Sequence, residues 1–384
     1  MLIIIFFLFV FIILYVYAGY PLIISVIATI RKKTVNKKDD FELTVSLIIA
    51  AFNEEDVIEE KLKNCFSLDY PKDKLEIIVF SDASTDRTDD IVKQYQNEGV
   101  ILIQLSGRRG KTAGQNLAVS QANGEIIVFS DANAIYREDA IRKVVRNFYD
   151  ESVGCVCGEL VYFSADQSLI GDAENIYWDY EKFIKRQEDR AASILGANGS
   201  IYALRRELYV ALPAETISDF IEPFKIIEQG YRVIYEPAAL SYEHSTKNFQ
   251  EEYQRKKRII NRSFNSFVHF RTFLNPLKYA MLSFQLISHK LLRWLIPFYL
   301  ILIFGVNLFL LNALFFQITF GLQIIFYSMA ILGYVLEKKH WHIVLFYTPF
   351  YFCLVNVASF QAIIKYFVDR KKVVTWDPIR LKKP

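Results

Sequence analysis

The octapeptide EIIVFSDA occurs twice in this chain, at Glu76–Ala83 and again at Glu125–Ala132. Each copy is a short apolar run, rich in β-branched residues, that ends in Ser-Asp-Ala. Such a run between polar ends reads as a buried strand. Each strand then delivers one carboxylate, Asp82 or Asp131, at its C-terminal tip. Similar runs lie around the pair: TVSLIIAA (44–51), VILIQLS (100–106) and SVGCVCGEL (152–160). Three helical patterns separate the first four runs: EEDVIEEKLKNCFSL (54–68), TDDIVKQYQNEG (88–99) and NLAVSQANG (116–124). Strands alternating with helices imply an α/β fold with a mostly parallel sheet and right-handed crossovers. Ligands of such sheets bind beyond the carboxyl ends of the strands, where both aspartates are expected. The 49-residue spacing of the copies invites a repeat reading. Their flanks oppose it, because ASTDRTDD opens a turn and a helix whereas ANAIYRED is a different loop.

The rest of the chain is strongly apolar. Hydrophobic residues make up 53% of the 384, and they fall in blocks. Residues 1–30 carry no charged side chain, and neither do Trp294–Leu336 or Ile343–Ile364. A membrane span needs about 20 apolar residues. The blocks therefore predict one N-terminal span and about three C-terminal ones. A cleaved leader would need a basic start and a shorter core; here RKK follows the apolar run and nothing basic precedes it, so residues 1–30 read as a retained anchor. The basic RKKTVNKK stretch is expected in the cytosol, which places the domain after it there too. The domain limits read as 1–30 anchor, 31–272 cytosolic domain, 273–292 interfacial amphipathic helix, 293–368 spans, and 369–384 basic tail. A net charge of +3, with both signs interleaved, points away from nucleic acid. The four cysteines show no zinc or disulfide spacing.

Four stretches carry chemistry. In AAFNEED (50–56), Asn53 is a candidate helix cap and Glu54 a candidate acceptor for a ribose hydroxyl. In SDASTDRTDD (81–90), Ser84 or Thr85 serves as a cap and Asp86 falls in the first turn; Asp82 is left over, suited to accept from a nucleobase N–H. LSGRRGKTAGQN (105–116) nearly matches a P-loop, but Leu105 stands where its first glycine belongs. What remains is a glycine-bearing loop whose Arg108, Arg109 and Lys111 suit a diphosphate or, alternatively, ordinary solvent. SDANA (130–134) pairs Asp131 with Asn133, an oxygen donor set for Mg²⁺ or Mn²⁺ once a nucleotide completes it.

The order AAFNEED, FSDASTDRT, GRRGKTAGQN, FSDAN resembles the nucleotide-binding half of glycosyltransferase family 2, whose members have the GT-A fold. LGANGSIYALRRELY (195–209) resembles the acceptor-side loop of that family. ISDFIEPFKIIEQGYRVIYEPAALSYEHS (217–245) resembles its base-bearing segment, and EEYQRKKRIINR (251–262) its terminal basic helix. The likeness runs from about Val45 to Arg262. It implies that Glu54 and Asp82 contact the uridine of a nucleotide sugar, Lys111 its diphosphate and Asp131 the metal. Asp219 would be the general base of an inverting transfer, although by itself it also reads as a helix cap. Arg258 would pair with the diphosphate. Gly196 and Gly199 mark a tight turn or a close approach to the acceptor, and Trp178 either stacks on a sugar or packs in a core. Three positions depart from the family pattern: Asn133 replaces a second acid, Ser218 replaces an acid before the base, and Ile259 stands where processive synthases carry tryptophan.

These readings converge on a membrane-bound transferase that moves a sugar from a nucleotide donor, UDP-linked by expectation, to a lipid-linked or glycan acceptor. The rival readings are a membrane scaffold that binds nucleotide sugar without turnover, and a transport-coupled P-loop NTPase.

Overall fold

The computed structural model describes residues 1–163, 169–244, 249–339, 341 and 343–369. The elements run α1 (Leu2–Leu14), α2 (Tyr20–Arg31), β1 (Val45–Ala51), α3 (Ile58–Phe66), β2 (Leu75–Ser81), α4 (Thr88–Gln94), β3 (Val100–Gln104), α5 (Lys111–Gln121), β4 (Ile126–Asp131), β5 (Ile135–Tyr136), α6 (Ala140–Val145) and β6 (Val153–Phe163). There follow α7 (Leu169–Ala191), β7 (Tyr202–Arg205), α8 (Ser218–Glu228), β8 (Arg232–His244), α9 (Phe249–His269), α10 (Pro276–Gln285), α11 (Leu292–Leu308), α12 (Leu314–Lys338) and α13 (Val344–Asp369). Chain contacts divide the described residues into a sheet unit, drawn from 28–163 and 188–244, and a helical unit, drawn from 1–27, 169–187 and 249–369.

The sheet unit holds one eight-stranded sheet in the order β3-β2-β1-β4-β7-β6-β8-β5. The half built from β3, β2, β1 and β4 is parallel, as the alternating pattern predicts. β7 runs antiparallel to both β4 and β6. Side chains of alternate parity enter two cores, one on each face. Leu47, Ile49, Val79 and Val128 pack with α3 and α6. Ile48, Ile78, Phe80 and Phe129 pack with α5. Both faces are therefore covered, which explains near-continuous apolar runs instead of strict alternation.

The twin octapeptides form β2 and β4, the two neighbours of β1. They are not level. Ala50 of β1 faces Phe80 on one side but Asp131 on the other. Asp131 is the counterpart of Asp82, so the second copy is offset by two residues along β1. At about 3.3 Å per residue, that is roughly 6–7 Å. The leading glutamates of the copies tie down the opposite sheet edge. Glu76 accepts from Ser46 Oγ at 2.5 Å and Asn123 Nδ2 at 2.8 Å. Glu125 accepts from the backbone N–H of Thr44 at 3.1 Å and its hydroxyl at 3.0 Å.

Among the described residues, four runs are long and apolar enough to cross a membrane: Leu2–Arg31, Pro276–Leu308, Leu314–Lys338 and Val344–Val368. Of the stretch read as an interfacial helix, 273–292, the part from Pro276 onward forms the start of the second run. It joins α11 through a π-helical turn at Leu286–Leu291. A similar turn at Tyr15–Gly19 joins α1 to α2. The two meet, with Tyr15 Oη 2.7 Å from Ser288 Oγ. Buried Glu181 of α7 pairs with Arg293 and lies 3.3 Å from His289 Nε2. α9 belongs to the helical unit, bound to α13 by Tyr351 Oη to Glu252 Oε1 (3.3 Å) and Asn261 Nδ2 to the Ala362 carbonyl (2.8 Å). The basic tail beyond residue 369 lies outside the described residues.

Candidate active site

The site is built at the carboxyl ends of β1, β2 and β4. Chain turns shape it first. After β1, Asn53 adopts φ +52° and so leaves the strand direction at once. It does not cap a helix: α3 begins at Ile58, and Asn53 Oδ1 instead accepts the Thr85 N–H at 2.8 Å. On the other side, Asp86 does the capping expected of Ser84 or Thr85, accepting the Thr88 N–H at 3.0 Å. The Ser84 hydroxyl receives the Asn53 N–H at 3.1 Å. These exchanges cross-link the two strand-end loops. Glu54 sits between them, buried, with its N–H donated to Thr88 Oγ1 at 2.8 Å.

Asp82 has no solvent exposure. Its carboxylate accepts the N–H of Arg109 at 2.6 Å, that of Gly110 at 3.1 Å, and Arg108 Nε at 3.1 Å. Burying a carboxylate costs several kcal/mol. Hydrogen bonds to a charged group return about 1.5–3 kcal/mol each, so three such donors offset the cost. The loop 107–110 can turn its N–H groups inward because Gly107 and Gly110 hold φ +104° and +89°. Arg108 covers the result, its guanidinium 3.3 Å from the centroid of the Phe52 ring. The near-match to a P-loop is thus resolved. Two N–H groups that a P-loop would aim at phosphate hold an internal carboxylate.

α5 starts at Lys111, and a Cβ at Gly114 would run into the Phe80 ring, so α5 lies close on β2. Lys111 Nζ forms an ion pair with Asp131. Asp131 keeps 36% of its side chain exposed. The turn after it is anchored from below by Lys61, a fully buried lysine that sequence reading passed over as one polar position of an amphipathic helix. Its Nζ donates to the Ala134 carbonyl at 2.5 Å and lies 3.7 Å from the Tyr136 ring centroid. Burial lowers its pKa to about 8. Asn133, beside Asp131, is half-buried.

The loop 195–201 closes the site. Gly196 holds φ +77°, and the N–H of Ala197 donates to the Asp219 carbonyl at 2.7 Å. Asn198 fixes the loop with bonds to the Gly158 carbonyl (3.0 Å) and from the Ile201 N–H (3.1 Å). Gly199 then comes to the centre. A Cβ there would lie 2.8 Å from Lys111 Nζ and 3.1 Å from each of Asp131 Oδ2 and Asp219 Oδ2. One ammonium and two carboxylates therefore converge around a single Cα, from residues 88, 68 and 20 positions away in the chain. Asp219 sits in the first turn of α8, as its helix-start pattern suggests.

The structure thus brings Lys111, Asp131, Gly199 and Asp219 together, with Asp82, Glu54 and Gly196 around them. Trp178 and Arg258 lie in the helical unit, where Trp178 stands 5.2 Å from Lys256 Nζ. Among the described residues, no three His, Cys, Asp or Glu side chains form a metal-holding group.

Residues 46–212 match the family model described as glycosyl transferase family 2. This stretch is a family 2 glycosyltransferase domain. The chain is 29% identical over 220 residues to a poly-β-1,6-N-acetyl-D-glucosamine synthase of Staphylococcus aureus, a match covering 54% of this chain and 53% of that protein. It thus spans about half the length of that relative. A "Probable glycosyltransferase YdaM" of Bacillus subtilis is 28% identical over 282 residues, 69% of this chain and 66% of that one. In fold, the chain is similar to the mannosyltransferase PcManGT of Pyrobaculum calidifontis, solved with GDP-Man and Mn²⁺. The TM-score is 0.73 at 23% identity, over 97% of this chain and 100% of that one. The GT-A fold expected from the sequence is the fold observed.

Proposed function

We propose that this family 2 domain is an inverting transferase. It moves a sugar from a nucleotide donor, UDP-linked, to a lipid-linked or glycan acceptor at a membrane, in polysaccharide assembly. One observation carries the reading: a base, a cation and a metal-competent carboxylate converge on Gly199, where no side chain intrudes. Asp219 takes the proton of the acceptor hydroxyl. The freed oxygen pair forms the new bond to the anomeric carbon, and the bond from that carbon to the diphosphate oxygen breaks from the opposite side. Lys111 turns from Asp131 to the departing diphosphate and offsets its charge. Glu54 and Asp82 support the nucleoside end, and Asp82 acts by holding the loop 107–110. The loop of Gly196 and Gly199 faces the acceptor.

The donors beside Lys111 suit Mg²⁺ or Mn²⁺. Asp131 and Asn133 offer hard oxygen atoms and are partly exposed, and a single carboxylate leaves the remaining positions to diphosphate and water. Such an ion, when bound, stabilises the negative diphosphate. One relative named above is a glycan synthase, and the four apolar runs would anchor the same work at a membrane, with the basic stretch after residue 30 keeping the sheet unit on the cytosolic side.

The test is nucleoside diphosphate release by the purified full chain with labelled UDP- and GDP-sugars, for wild type and Asp219→Asn. Turnover with a UDP-sugar that the variant loses supports the proposal. Donor binding without turnover in wild type gives the scaffold reading, and absence of donor binding refutes both.

A further inference from the structure

One turn beyond Asp219, α8 buries a second carboxyl group that the transfer does not use. Glu222 is 2% exposed. Its Oε2 accepts the Tyr202 hydroxyl at 2.8 Å, and its Oε1 meets no hydrogen-bond partner among the described residues. Tyr202 stacks on Phe129, with centroids 4.8 Å apart, two residues before Asp131. Its hydroxyl oxygen also receives Gln115 Nε2 at 3.4 Å. The other end of the Gln115 amide accepts the Ser218 hydroxyl at 2.5 Å. Ser218 immediately precedes Asp219. A closed path therefore runs Glu222–Tyr202–Gln115–Ser218 and returns to Glu222 along the first turn of α8. It joins β7, α5 and α8, the elements that carry or border the converging charges.

We propose that Glu222 is a positioning residue for the transfer: through Tyr202, Gln115 and Ser218 it fixes the turn of α8 that presents Asp219 to the acceptor hydroxyl. The inference rests on Asp219 being the base. Position 218 gains a meaning by it. The serine found where relatives of the family carry an acid is a hydrogen-bond donor that closes this path.

The charge state of the path matters. Burial, reinforced by Asp219, raises the Glu222 pKa to about 8, against the opposing pull of the Tyr202 hydroxyl and Lys111. The groups facing it are Asp219 on its own helix, Tyr202 on β7, Lys111 on α5, Tyr209 after β7 and Cys155 on β6. At neutral pH Glu222 is thus a neutral acid. Ionised, it would place a second negative charge beside the base in a dry site and pull on Tyr202.

The experiment is the pH–rate profile of nucleoside diphosphate release for wild type, Glu222→Gln, Glu222→Leu and Tyr202→Phe, with Asp219→Asn alongside. The expected wild-type rate falls above about pH 8. Glu222→Gln, which still accepts from Tyr202 and cannot ionise, turns over at pH 7 within about threefold of wild type and lacks that fall. Tyr202→Phe keeps the ring stack and moves the fall to higher pH, because the hydroxyl no longer favours the ionised form. Glu222→Leu lowers kcat by about tenfold to a hundredfold with the donor KM unchanged. Coincident alkaline limbs in wild type, Glu222→Gln and Tyr202→Phe overturn the inference, even if Glu222→Leu fails to fold. If Asp219→Asn turns over like wild type, the reading of the base falls and takes this inference with it. An inactive Asp219→Asn with indifferent Glu222 variants sinks the inference alone.

Discussion

The ammonium of Lys111 pairs with the carboxylate of Asp131 directly against the Cα of Gly199. The pair stores the site's cation on the residue suited to a metal, and it leaves no room for a side chain at position 199.

Gly199→Ala tests that crowding. Its methyl would sit 2.8 Å from Lys111 Nζ and 3.1 Å from two carboxylate oxygens, closer than ordinary contact. Turnover should fall by about a hundredfold, the cost of a misplacement near 1 Å. The melting temperature should stay near that of wild type, since Gly199 lies on a loop. Kinetics and a thermal melt on the same preparation decide.

Asp131→Asn should remove the divalent-metal dependence of donor binding and release Lys111. Lys111→Met should weaken binding of the nucleoside diphosphate more than that of the free nucleoside. Calorimetry with and without Mn²⁺ separates the two effects. Equal affinity losses for nucleoside and diphosphate would contradict the role given to Lys111.

Asp82→Asn should loosen the loop 107–110. The amide brings donors toward the N–H groups of Arg109 and Gly110 and loses one acceptor, a change of about 1–3 kcal/mol. Limited proteolysis should then cut between Gly107 and Gly110 in the variant before wild type.

Glu222 also makes stability fall with pH. Its ordinary pKa is 4.5 and its folded value about 8. Between these values the unfolded chain has lost the proton while the native one keeps it, so rising pH favours unfolding. Above about pH 8 both forms are ionised and the penalty levels off. Glu222→Gln should flatten this stretch of the curve, by up to about 1.4 kcal/mol for each pH unit. Chemical denaturation of both proteins at pH 5 and at pH 8 provides the comparison.

The two octapeptides made the parallel half of the sheet legible, because a buried strand with a polar tip needs only local pattern. The four long apolar helices were equally plain, since length and apolarity are legible in composition alone. Helix starts were harder. Asn53 looks like a cap, yet a left-handed backbone and a bond to Thr85 move α3 on to Ile58. Asp82 was recognised, but its partners were not, because the loop that covers it folds back from 26 to 28 residues away. Lys61 and Glu222 stayed hidden for one reason. Each is a polar letter in an amphipathic pattern, and only packing from β4–β5 or β7 puts it indoors. Ser218 read as a lost acid until its partner on α5 was visible.

The stagger of β2 and β4 on β1 imposes a parity rule on this protein's history. An insertion that slides either neighbour by an even count preserves which core each side chain enters, and only changes how far its terminal acid reaches. An odd slip would send Phe80 or Phe129 to the α3 side and point the acid away from α5. Indels surviving near these strands should therefore compensate in pairs, and a library that shifts the pairing one residue at a time should alternate between folded and unfolded members.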